Sequence, residues 1–187
     1  MLPDIFPKLQ LAGAVGIIPT DTVYGLVARA SDQAAVKRLY DLKNREGKPG
    51  TIIAASIQQL IDLGLKARYL KAVEQFWPGS VSVIIPCGSE LEYLHEGLRS
   101  LAVRVPESHE LRAFLKQTGP LLTSSANHPG EPTAANVEQA RNYFGANVDF
   151  YVDGGDMSNH LPSTIIRIVD DAIEIIREGA VKIQENE

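Results

Sequence analysis

Cysteine is nearly absent from this chain of 187 residues, and Cys87 is the single one. One thiol can form neither an internal disulfide nor a cysteine metal cluster, which excludes disulfide-stapled secreted scaffolds and zinc ribbons and fits the cytoplasm. Long apolar runs are missing as well. Nowhere do about eighteen apolar residues follow one another, so no membrane-spanning helix is expected. The opening Met1-Leu2-Pro3-Asp4-Ile5-Phe6-Pro7-Lys8 lacks the basic start and apolar stretch of a secretory leader. Excess positive charge is also lacking: 18 Lys and Arg stand against 23 Asp and Glu, for a net charge of -5. That balance argues against a free-standing non-specific nucleic-acid binder, which needs clustered cations to release counterions.

At 44% hydrophobic and 22% charged, the chain can bury one full core. No linker, repeat or low-complexity tract divides it, so a single domain over residues 1–187 is expected. Helical and strand-like segments alternate. Apolar runs at Val15–Ile18, Thr51–Ala55, Val81–Ile85, Leu101–Val105, Pro120–Thr123, Val148–Val152, Thr164–Val169 and Ala172–Ile176 read as strands. Helices are expected at about residues 32–44, after the caps Ser56 and Ser108, through Leu70 to Phe76, and through Val137 to Tyr143. Such an order predicts an α/β (α+β) domain, a twisted mixed sheet with flanking helices.

Within that frame the hydroxyl-rich segments follow apolar strands. Pro19 should end the first strand and send Thr20-Asp21-Thr22 off the sheet at a carboxyl edge, where open α/β sheets bind ligands. On the helix that follows, Lys43 falls on the apolar stripe of Val36, Leu39 and Tyr40, and so needs an anionic partner or a route to water. Lys43 and Arg45 either complement a helix dipole or hold an anion. Between residues 15 and 55 the six cations Arg29, Lys37, Arg38, Lys43, Arg45 and Lys48 outnumber four acids, a local reversal of sign. Arg104 projects from mid-strand; it lies on a wet face or clamps a carboxylate. Thr123-Ser124-Ser125-Ala126-Asn127 and Ser163-Thr164 are either ordinary turns or further ligand-facing clusters.

Taken together, Pro19-Thr20-Asp21-Thr22-Val23-Tyr24-Gly25, Lys43-x-Arg45, Phe76-Trp77-Pro78-Gly79, Val103-Arg104-Val105-Pro106, Ser124-Ser125-Ala126-Asn127, Asp153-Gly154-Gly155, Ser163-Thr164 and Arg177-x-Gly179 resemble the YrdC-like family of threonylcarbamoyl-AMP synthases. Order and spacing match over about residues 12–180. The resemblance, to the short single-domain bacterial type without the extra C-terminal domain of longer relatives, implies a twisted sheet around a basic concave cleft. It implies synthesis of L-threonylcarbamoyladenylate from L-threonine, bicarbonate and ATP, with Mg²⁺ accompanying the nucleotide. Other proteins would then transfer the threonylcarbamoyl group to tRNA, and direct tRNA contact is left open. Carried over by position, Thr22, Arg104, Thr123 and Ser163 would bind threonine, with Arg104 on its carboxylate. Lys43, Arg45, Lys48, Ser100, Ser125, Asn127 and Arg177 would serve ATP, Lys43 and Arg45 acting electrostatically with no general base assigned. Two departures stand out: Glu46 occupies the place of a family proline, with a shorter interval to Pro49, and Ile52-Ile53 lacks a histidine that some relatives carry. An RNA-binding module with the same cleft, a hydrogenase-maturation relative and a serine hydrolase built on Ser124 or Ser125 are the competing classes. The last has no G-x-S-x-G elbow to support it.

Overall fold

The computed structural model describes residues 5–44, 48–170 and 172–183. Among them run, in chain order, helix α1 (Phe6–Leu9), strands β1 (Val15–Pro19) and β2 (Tyr24–Arg29), α2 (Gln33–Lys43), β3 (Thr51–Ile53), α3 (Ile57–Leu63), α4 (Ala67–Lys71), β4 (Val81–Pro86) and α5 (Glu92–His95). Then follow β5 (Ser100–Arg104), α6 (His109–Thr118), β6 (Leu121–Ser125), α7 (Val137–Phe144), β7 (Phe150–Tyr151), β8 (Thr164–Val169) and β9 (Ala172–Arg177). The strands form one mixed sheet in the order β7-β1-β2-β6-β3-β5-β4-β8-β9.

Local chemistry accounts for the helix starts. Asp32, Ser56, Ser108 and Asn136 each accept a backbone N–H three residues on, at α2, α3, α6 and α7. Strand β2 was not anticipated. Tyr24–Arg29 returns antiparallel to β1, with Pro19 paired to Tyr24 and Val15 to Ala28, so Thr20–Val23 is a hairpin turn rather than a strand-to-helix exit. Proline is tolerated at the end of β1 because β7 pairs only with Gly16 and Ile17, leaving no ladder on that side of Pro19 for a missing N–H to disturb.

The two faces of the sheet are covered unequally. Leu26, Ile52, Leu122, Val103 and Val83 point to a large core closed by residues of α2, α3, α4, α5 and α7. On the other face Val27, Ile53 and Leu121 meet Leu9 of α1 and Leu111, Phe114 and Leu115 of α6 in a smaller cluster. Side chains alternate along a strand, so Thr123 and Ser125 share the face of Leu121, Thr51 that of Ile53, and Gly25 that of Val27. Register agrees: Val27 pairs with Thr123, Thr51 with both Thr123 and Ala102, and Ile53 with Arg104. Helices α1 and α6 leave that polar half of the second face uncovered, and this is where the cleft lies. Among the described residues no helix is long and apolar enough to cross a membrane.

Candidate active site

The cleft is an open groove of about 600 Å³ when the solvent at its mouth is counted. It gathers Thr22, Arg104, Thr123, Ser125, Ser163 and Arg177, six residues singled out from five segments, together with Thr20, Thr51, Ser124 and Gly50. Arg104 and Arg177 are the cations among the described lining residues, and Arg104 is paired with Asp21 just behind the lining.

Each wall has a structural cause. At the β1–β2 turn, Thr20 Oγ1 donates to Val23 O (2.7 Å), accepts from the N–H groups of Thr22 and Val23, and lies 3.0 Å from Thr22 Oγ1. This hydroxyl knot holds Thr22, which is buried, against the cleft. Gly25 is required behind it, since a Cβ there would stand 2.5 Å from Thr123 Oγ1. The same segment anchors the Asp153-Gly154-Gly155 motif: the buried Tyr24 hydroxyl accepts from Gly154 N (2.7 Å) and donates to Gly155 O (2.9 Å). Burial raises the Tyr24 phenol above its ordinary value.

Arg104 lies on a central strand, between β3 and β4, and is 2% exposed. It is therefore not a wet-face arginine. Its Nη1 donates to both carboxylate oxygens of Asp21, each at 2.7 Å, and Asp21 Oδ2 also accepts from Glu107 N (2.9 Å). Arg104 Nε has no acceptor among the described residues. At the far wall, Arg177 Nη2 and Nε donate to Ser163 O (2.8 and 3.2 Å), and Nη2 approaches Ser163 Oγ (3.3 Å). Ser163 Oγ is 2.9 Å from the Oγ of the fully buried Ser82. Arg177 and Ser163 can come this close because the chain returns over Pro162–Thr164, where Ala180 N donates to Pro162 O and Val181 N to Thr164 Oγ1. A Cβ on Gly179 would collide with the Pro162 carbonyl.

Lys43 does lie on the buried stripe of α2, at 1% exposure. Among the described residues its partners include carbonyl oxygens of the Ser125–Asn127 segment. Nζ donates to Ser125 O (2.7 Å), Asn127 O (2.5 Å) and Asn127 Oδ1 (2.9 Å). Asn127 Oδ1 also accepts from Ser125 Oγ (2.6 Å), and its Nδ2 donates to Glu131 O. Lys43 thus sits behind the Ser125–Asn127 segment and outside the cleft lining. Asn127 fixes the same segment. Ser100 occupies the opposite end of β5 from Arg104, paired with Pro86, and is not in the lining. Lys48 is exposed, and Arg45 and Glu46 lie outside the described residues. Two polar residues escaped the sequence reading: Ser82, whose signal was a lone hydroxyl within Val81-Ser82-Val83-Ile84-Ile85, and Asp21 as the partner of Arg104.

The Sua5/YciO/YrdC family model, described as "Telomere recombination", matches residues 8–179. The chain belongs to the Sua5/YciO/YrdC family. A relative from Marinobacter nauticus named threonylcarbamoyl-AMP synthase is 36% identical over 166 residues, covering 85% of this chain and 87% of the relative. One of the same name from Bacillus subtilis is 33% identical over 171 residues, covering 87% of this chain and 49% of the relative. The solved Pyrococcus abyssi Sua5 complexed with L-threonine superposes with a TM-score of 0.82 at 28% identity, over 94% of this chain and 54% of that one. This family member therefore spans about half the length of the Bacillus and Pyrococcus proteins it matches and most of the Marinobacter one.

Proposed function

We propose that the chain makes L-threonylcarbamoyladenylate from L-threonine, bicarbonate and ATP, releasing pyrophosphate and water. The observation that carries this reading is the convergence of Thr22, Arg104, Thr123, Ser125, Ser163 and Arg177 in one cleft. The naming of relatives as threonylcarbamoyl-AMP synthases and the threonine complex of Pyrococcus Sua5 support it.

In this reading threonine lies between the Thr20–Val23 turn, Arg104, Thr123 and Ser163, with its carboxylate on the guanidinium of Arg104. The hydroxyls of Thr22 and Ser163 offer hydrogen bonds to its polar groups. The neutral amine takes up carbon dioxide from bicarbonate, loses a proton, and becomes a carbamate. A carbamate oxygen then attacks the α-phosphorus in line with the departing pyrophosphate, so one P–O bond forms as another breaks. No protein side chain becomes covalently bonded. Ser125, held by Asn127 and Lys43, and Arg177 face the nucleotide, with Arg45, Lys48 and Ser100 proposed to complete that side. Positioning of two bound reactants supplies much of the acceleration, and cations offset charge on the phosphates. Mg²⁺ would arrive on the ATP phosphates and add charge neutralisation there; hydroxyl oxygens such as those of Thr123 and Ser125 are compatible with such a hard ion. The product would pass to proteins that transfer the threonylcarbamoyl group to tRNA.

The test is pyrophosphate release by the purified protein. Release is expected only when threonine and bicarbonate are both present with ATP·Mg²⁺. Turnover that ignores threonine, or salt-sensitive RNA binding with no nucleotide turnover, would replace this reading with another.

A further inference from the structure

We infer that Asp21 is a positioning residue that selects which edge of Arg104 is offered to the amino-acid carboxylate; the inference rests on the threonine reading above. An arginine has two edges that can engage a carboxylate through two parallel bonds, one carrying Nη1 and Nη2, the other Nε and Nη2. Both Asp21 oxygens bind Nη1, which takes a donor from the first edge and leaves the second intact. The Nε of that second edge is buried without an acceptor among the described residues. A buried donor lacking a partner costs free energy, and a ligand carboxylate is the group that would relieve it.

Asp21 is itself held from the opposite side. Its Oδ2 accepts from Glu107 N at 2.9 Å, and Arg112 Nη1 grips that loop through the carbonyls of Pro106 and Glu107, both at 2.6 Å. The Asp21 and Arg104 side chains are 8% and 3% exposed, so water screens the pair little. The carboxylate therefore cannot drift while keeping its bonds, and the guanidinium plane is set by the protein before any ligand enters. Because Asp21 also belongs to the Thr20–Val23 turn, the same contact fixes the distance between Arg104 and Thr22. The acid neutralises Arg104 as well, so a bare anion gains less from the cleft than a zwitterion that uses the shaped edge together with the neighbouring hydroxyls.

Steady-state kinetics and titration calorimetry of Asp21→Asn and Asp21→Glu test this. In Asp21→Asn, KM and Kd for threonine are expected to rise about tenfold or more while KM for ATP stays within about twofold; Asp21→Glu, which restores the carboxylate, should recover most of the loss. A double-mutant cycle with Arg104→Lys removes the ambiguity of a merely structural effect: Asp21→Asn should cost little further threonine affinity once Arg104 is Lys, because Asp21 acts through Arg104. Equal weakening of threonine and ATP, or full additivity with Arg104→Lys, overturns the inference and leaves the proposed activity intact. A wild-type protein that turns over ATP without threonine and fails to bind threonine overturns both.

Discussion

Lys43 shows how far a single residue could be read from its neighbours in sequence. The helical spacing from Val36 puts it on the buried stripe, and there it is. Three acceptors among the described residues, from Ser125 and Asn127, lie 82 and 84 positions away on a segment that no local pattern connects to α2. Arg104 is similar: its strand was legible, but its carboxylate partner is 83 residues off. The geometry assigns Lys43 the task of holding the Ser125–Asn127 segment. Removing the ammonium in Lys43→Met takes a donor from three part-buried acceptors, of which Asn127 Oδ1 keeps Ser125 Oγ, at about 1–3 kcal/mol for each carbonyl left unpaired. Urea unfolding is expected to show a loss of about 3 kcal/mol in stability, with weaker ATP binding as Ser125 and Asn127 lose their anchor. A cation acting only on the leaving phosphate would give the reverse result, with unchanged stability and a fall in kcat of about a hundredfold.

At the scale of elements, the strand that escaped prediction is also the most buried of the central ones. Five of the six residues of β2 are buried, so Tyr24-Gly25-Leu26-Val27-Ala28 has no alternating polar face to announce it. Pro19 before it reads as an ending. The surrounding elements are tied by carboxylates. Asp32 caps α2 through Ala35 N (3.0 Å) and also accepts from Gly13 N (2.8 Å). Asp149, before β7, accepts from Val15 N (2.8 Å) and Arg38 Nη1 (2.6 Å). Burial alone would raise both carboxyls, but for Asp32 the Ala35 and Gly13 N–H groups with Arg29, and for Asp149 Arg38 with Val15 N, outweigh it and hold each below its ordinary 3.8. A carboxyl depressed in the folded state contributes stability above its unfolded value and loses it as pH falls through the folded value. Stability should therefore decline as pH drops below 3.8. Asp149→Asn should flatten that decline while lowering stability at neutral pH. Urea titrations from pH 5 to about 2 measure both; equal slopes for wild type and variant would remove Asp149 from the account.

For the whole molecule, the cleft is the part of one sheet face that α1 and α6 do not reach. Its walls come from the β1–β2 turn, β3, β5, β6 and the β8–β9 region, so the site assembles only when the complete sheet does. That is why separate motifs carried the resemblance while none located the cleft alone: unequal helix cover of two faces is a tertiary property. It also makes ligand binding a report on global folding. A ligand that binds only the folded state stabilises it by about 2.7 kcal/mol at a hundredfold excess over its Kd. Threonine and ATP are proposed to occupy adjacent walls, joined by the short β6 path from Thr123 to Ser125. Each should order the hydroxyl lining that the other needs, so their binding free energies should couple by about 1–3 kcal/mol. Thermal melts with threonine alone, ATP·Mg²⁺ alone, and both, using a non-hydrolysable nucleotide to prevent turnover, are expected to give a combined shift larger than the sum. Linkage requires the effect to be reciprocal, so calorimetry must find threonine tightening the nucleotide by the factor with which the nucleotide tightens threonine. Strictly additive shifts would mean that the two walls act as independent sites, and the in-line attack proposed between them would lose its geometric basis.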